Sequence, residues 1–121
     1  MAILNADVKA IINETHPAWV ATADKAGRPN VSAKGSFRVL DDQHVIFADI
    51  ASPRTIANLT ENPHVAAIIY DPTGPRGARI WGKAEIISSG ELFDRVAGEL
   101  AARNMRARHI VVIAVDEYVM F

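Results

Sequence analysis

A hydroxyl, a guanidinium and a second hydroxyl stand close together in Ser52-Pro53-Arg54-Thr55, just after the β-rich run 44–48. Pro suits the first helical position behind a Ser cap, because its missing N–H costs nothing there. The spacing predicts the first turn of a helix, where free backbone N–H groups and the positive end of the helix dipole point the same way. An anion such as a phosphate would take N–H bonds from that turn, a hydroxyl bond from Ser52 or Thr55 and a charge-assisted bond from Arg54. An ordinary helix cap with a solvated Arg54 would use the same residues.

Alternation over residues 31–40 puts Val31, Ala33, Phe37 and Val39 on one face of a strand and Ser32, Lys34, Ser36 and Arg38 on the other. The polar row would hold a long anionic ligand beside the helix start, or would be the wet face of an ordinary strand. Arg103, Arg106 and Arg108 form a small basic patch ahead of His109. It is either a solvated connection or a recruiter of a phosphate or anionic partner. The four histidines lack metal-ligand spacing, and the nearest carboxylates, Glu14 and Asp42, stand singly, so no metal site is expected. Neither a Gly-x-Ser-x-Gly elbow nor a Gly-x-Gly-x-x-Gly turn is present, and no side chain stands out as a general base. No catalytic residue is therefore assigned.

These groups need a scaffold, and the composition describes one globular domain over residues 1–121. Thirteen Lys plus Arg against 14 Asp plus Glu, with 50% hydrophobic residues, excludes a disordered chain. The absence of Cys excludes disulfides, thiolate metal sites and cysteine nucleophiles. A formal net charge of −1 offers no general field to nucleic acid or to an anionic membrane. The apolar runs 65–70 and 110–115 fall far short of the ~20 residues of a membrane-spanning helix. Residues 1–4 lack the charged start of a secretory signal. A cytoplasmic protein with no nucleic-acid or membrane partner is expected.

Leu4, Val8, Ile11 and Ile12 recur at helical spacing behind a possible Asn5 cap, and Pro17 ends that helix. Strands are expected over 19–23, 31–40, 44–48, 65–70, 79–87 and 109–115, with a reversing turn at 24–29 and a loop at 71–77. A second helix starts at Ser52 and stops near Pro63. A third follows the capping-box spacing of Ser88 and Glu91, with Leu92, Phe93, Val96 and Leu100 as its stripe. Most connections are too short for parallel crossovers, so six antiparallel strands would close into a small barrel flanked by short helices. An open antiparallel sheet with helices on one face is the competing arrangement.

The order of these pieces resembles the FMN-binding split barrel family, which includes pyridoxamine 5'-phosphate oxidase. Three segments carry the resemblance: residues 20–30; residues 45–49 with Ser52-Pro53-Arg54-Thr55, Asn58-Leu59 and Asn62-Pro63; and Arg79-Ile80-Trp81-Gly82-Lys83-Ala84-Glu85. The resemblance implies a homodimer with FMN at the subunit interface. It implies that Arg54, Thr55 and Ser52 hold the FMN phosphate, and that Ser32, Ala33 and Lys34 run beside the flavin. Phe47, Ala48, Asp49 and Ile50 would bring backbone to the isoalloxazine ring, with Asn58 on the following helix. Trp81, Met105 and Phe121 are candidates to cover the ring from the second subunit. A protein without the C-terminal extension with which pyridoxamine phosphate oxidases seize their substrate is expected. The resemblance therefore implies an FMN-dependent oxidoreductase of unknown substrate or a flavin reductase, with a small-molecule redox partner. The alternative is a flavin-binding electron carrier or sensor without turnover. A colourless barrel that binds nucleic acid through Arg103, Arg106 and Arg108 is a third possibility.

Overall fold

The computed structural model describes residues 2–121; Met1, at the start of the expected domain, lies outside them. The chain runs α1 (Ala6–Glu14), β1 (Ala18–Ala23), β2 (Pro29–Lys34), β3 (Arg38–Val39), β4 (His44–Asp49), α2 (Pro53–Glu61), β5 (His64–Asp71), β6 (Arg76–Ile87), α3 (Glu91–Ala101) and β7 (His109–Met120). All strands belong to one antiparallel sheet in the order β2-β1-β5-β6-β7-β4-β3.

The strand count is seven rather than the six expected, because residues 31–40 form two short strands. β2 pairs with β1 and β3 pairs with β4, at opposite edges of the sheet. Three residues separate β2 from β3 and reach at most about 14 Å. A flat sheet of this order would put the two edges about 29 Å apart at ~4.8 Å per strand. The sheet must curl until its edges lie side by side, and the result is a split barrel.

The barrel interior holds one core cluster that includes Val20, Phe37, Val45, Phe47, Ile69, Ile80, Val111 and Ile113. α1 closes one end with Val8, Ile11 and Ile12, each almost wholly buried. Burying such side chains contributes roughly 1.5–3 kcal/mol apiece before entropy is counted. The expected Asn5 cap is present, its side chain accepting from Val8 N at 2.9 Å. A second cluster lies between the sheet and α3, where Ile46, Ala48 and Ile110 meet Val96 and Leu100.

Two expected caps differ. Ser52 is the N-cap of α2 by position, but its side chain makes no cap bond. α3 is preceded by Gly90, with φ 102°, rather than by a Ser88 box. Gly90 adopts a positive φ that favours glycine, and Glu91 and Asp94 in the first turn complement the helix dipole. The expected loop at 71–77 is shorter, since β5 and β6 form a ladder up to Asp71 and Arg76.

Candidate functional site

Closing the barrel leaves a seam where β2 passes into β3, and a cleft of about 290 Å³ opens there. Its walls come from Ala33, Lys34, Gly35 and Ser36 on one edge and from Ala48 and Ile50 on the other. Ala51 and Ser52 at the start of α2 close one end, and Arg103 and Met105 beyond α3 form the rim. Among the described residues no carboxylate lines it. Ser36 Oγ accepts from Ala48 N at 2.9 Å, which satisfies one backbone donor at this split edge.

Four residues from four parts of the fold are tied together behind the cleft. Lys34 Nζ donates to Ser52 Oγ. Ser52 N donates to Asp49 Oδ1 at 2.8 Å, and Asp49 Oδ2 meets His109 Nδ1 at 2.7 Å. Lys34 and Asp49 are buried, at 6% and 3% exposure. Burial pushes the Lys34 ammonium below its usual range, while the nearby Asp49 carboxylate opposes that shift. Lys34 Nζ also lies 5.4 Å from the centre of the Phe47 ring.

A smaller notch of about 170 Å³ lies near the same helix start, between the β1–β2 turn and α2. Arg28, Asn30, Arg54 and Asn58 line it together with Asp24. Asp24 is occupied with its own turn, accepting from Ala26 N and Arg28 N at 2.9 Å each. Asn58 Nδ2 donates to Thr22 Oγ1 at 3.1 Å, which fixes that amide at the notch wall. The first helical bond of α2 runs from Ile56 N to Ser52 O, so the amides of Arg54 and Thr55 precede the ladder.

The expected site residues thus fall into groups. Ala33, Lys34, Ala48, Ile50 and Ser52 line the cleft, and Arg54 and Asn58 line the notch. Phe47, Asp49 and Thr55 are buried, with Phe47 stacked on Phe37 at 6.4 Å in the core. Ser32 is half-buried, whereas Val31 is 65% exposed and Ala33 is also exposed. The apolar row of β2 therefore faces outward and its polar row inward. Arg38, expected in that polar row, instead pairs with Glu99 at 2.7 Å.

Trp81 lies on the outer face of the sheet, level with Val31, Ala21 and Ala66 across four strands. Arg79 sits between Trp81 and Phe121, at 5.9 and 5.8 Å from their ring centres. Phe121 is held by paired backbone bonds with Gly77 and stacks on Tyr70 at 6.3 Å. Met105 lines the cleft of its own chain.

Ser36, expected in the polar row beside the helix start, and Arg103, expected in the basic patch, both line the cleft, whereas sequence reasoning missed Gly35 as a cleft residue and His109 as the partner of Asp49. Gly35 carried a usable signal, a glycine interrupting a β-rich run. The Asp49–His109 pair carried none, because only the ladder of β4 on β7 brings the two together.

The sequence profile of the pyridoxamine 5'-phosphate oxidase family matches residues 4–120. Among solved structures, HupZ of Group A Streptococcus is similar over 98% of this chain and 100% of its own, with a TM-score of 0.90 and 27% identity. An FMN-binding protein from Syntrophomonas wolfei shares the fold over 93% of this chain and 82% of its own, with a TM-score of 0.82 and 19% identity. An F420 reductase also shares it, with a TM-score of 0.74 and 19% identity over 96% of this chain and 98% of its own. An uncharacterized protein of Methanocaldococcus jannaschii is 43% identical over 61 residues, which span 49% of this chain and 40% of that protein.

Proposed function

The chain belongs to the pyridoxamine 5'-phosphate oxidase family, and on that premise we propose that it binds FMN at the start of α2, as a homodimer, and works as an FMN-dependent oxidoreductase. The observation that carries this reading is the carboxylate-free cleft, where Lys34 and Ser52 meet the first turn of α2. Across that turn, Arg54 and Arg28 line the neighbouring notch. An elongated anion suits such a pair of depressions: its phosphate takes the guanidinium of Arg54 and the leading amides of α2, and its apolar ring takes Ala48 and Ile50.

Bound FMN supplies hydride and electron transfer. The protein's part is to bind, orient and exclude water. Lys34 keeps a positive charge close to the cleft, the wall at Ala48 and Ile50 offers apolar contact, and Asp49 and His109 hold the α2 start in place.

The partner copy has a surface to use. Two rows cross the outer sheet, one of Ala33, Trp19, Ile68, Arg79 and Val119 and one of Val31, Ala21, Ala66, Trp81 and Glu117. Trp19, Val31 and Val119 are exposed there at 48%, 65% and 45%. An apolar patch of this kind marks an association surface, and a second copy would bring Trp81 and Phe121 within reach of the partner's cleft. Among the described residues no helix is long and apolar enough to cross a membrane.

Titration of flavin-free protein with FMN, followed by flavin fluorescence and visible absorbance, tests the reading. Saturable binding of one FMN per chain supports it, and no binding at micromolar FMN overturns it. F420, named for one structural neighbour, is the competing occupant and is titrated in parallel. Sustained NADH or NADPH oxidation by loaded protein separates an enzyme from an electron carrier.

A further inference from the structure

A larger groove, of about 1140 Å³, runs along α3 and is absorbed by neither depression described above. Its floor is apolar: Phe93, Ala97 and Ala101 on the helix, with Ile50 at one end. Its other wall is the segment that returns from α3 to β7. Asn104 adopts φ 59° and Met105 N bonds back to Leu100 O at 3.0 Å, so the chain reverses against the helix it has just left. Arg108 N then anchors the segment's far end to Asp49 O at 2.8 Å.

Between those two anchors the side chains alternate. Met105 and Ala107 pack into the core beneath α3, while Arg106 and Arg108 are exposed. Among the described residues neither arginine joins an ion pair, and no carboxylate lines the groove. Acidic residues slightly outnumber basic ones in this chain, so an acid-free groove with two unpaired guanidiniums runs against its overall charge. Apolar floor and cationic rim together select a ligand with one part of each kind.

We propose that this groove binds a small amphipathic anion, an apolar ring or chain bearing one acidic group, with Arg106 and Arg108 taking the acidic group and the α3 face taking the apolar part. The proposal stands apart from the flavin reading, since neither arginine lines the cleft or the notch. A ligand there would nonetheless touch Ile50 and Met105, the wall shared with the cleft.

The test uses two fluorescent probes of similar apolar shape, 8-anilinonaphthalene-1-sulfonate and the uncharged N-phenyl-1-naphthylamine. In the double variant Arg106→Ala/Arg108→Ala, the dissociation constant of the sulfonate is expected to rise about tenfold, as befits loss of charge-assisted bonds, with the neutral probe held within about twofold. Filling the floor with Ala97→Trp is expected to weaken both probes. A sulfonate affinity unmoved by the double variant, an equal loss of both probes in it, or no effect of Ala97→Trp on either probe would each overturn the proposal. FMN titration of the double variant reports on the cleft separately, so failure of one reading is not mistaken for failure of the other.

Discussion

Asp49 and His109 lie 60 residues apart in sequence and 2.7 Å apart in the fold, carboxylate Oδ2 to imidazole Nδ1. The same carboxylate accepts Ser52 N at 2.8 Å, so one buried side chain ties the last strand to the helix start that we assign to the cofactor. Asp49→Ala removes both bonds and leaves the Lys34 ammonium without its nearby countercharge. A loss of about 3 kcal/mol is expected, the scale for breaking a buried polar network. Urea unfolding measures it; a loss below about 1 kcal/mol would show that the network does not hold α2 in place.

Lys34 is expected to oppose stability while serving ligand binding. Its burial disfavours the charged form and lowers its pKa from 10.5, with Asp49 only partly offsetting this. Lys34→Met is therefore expected to melt at the same temperature as the parent or higher, and to bind FMN about tenfold more weakly. The pH sign follows from the lowered folded value. Between it and 10.5 the unfolded chain binds the proton more tightly, so the parent gains stability relative to the variant as pH rises through that window. FMN affinity of the parent should fall over the same rise, because the bound anion loses the positive charge that Lys34 keeps close to the cleft. A variant with lower melting temperature and unchanged FMN affinity would reverse both assignments.

Arg54 is exposed on the first turn of α2 and joins no ion pair among the described residues. Arg54→Ala is expected to weaken FMN binding by at least about 1.5 kcal/mol and to leave the melting temperature nearly unchanged. Isothermal titration separates the two effects, and an unaltered dissociation constant would remove Arg54 from the phosphate site.

The outer face of the sheet carries its own test. Trp19→Glu and Val31→Glu each place a charge in the exposed apolar rows without touching the core. Light scattering coupled to size exclusion is expected to show monomers for the variants and dimers for the parent, with FMN affinity reduced in step. A parent that already runs as a monomer would exclude this face as the dimer contact.

Gly82 stands at the register shift between Trp81 and Gly82, where β6 crosses closely over β7. A Cβ there would collide with Ala114 O and lie 2.8 Å from Ile113 Cγ2. Gly82→Ala is thus expected to cost about 1–3 kcal/mol through forced movement of the β6–β7 ladder. Gly98, on α3 with open space around it, is the control, where Ala should be neutral or mildly stabilising. Thermal unfolding of both variants checks the contrast.

Local chemistry made much of this protein legible in its residues. Helical spacing and a cap marked α1, Ser52-Pro53 marked α2, and the long β-rich runs marked most of the strands, because backbone preference and side-chain period act over a few residues. The same locality misled at Ser88, where Gly90 took over the helix start, and at Ser52, whose hydroxyl went to Lys34 instead of its own helix. Residues 31–40 read as one strand because alternation says nothing about which neighbour each half will find. Tertiary structure alone split them across the two edges of a curled sheet, and so opened a cleft at Gly35 and Ser36. It alone buried Lys34, joined Asp49 to His109 and turned Val31 outward. Those outcomes depend on closure of the barrel, a long-range pairing whose energy is spread over the whole β ladder and is written in no single stretch of chain.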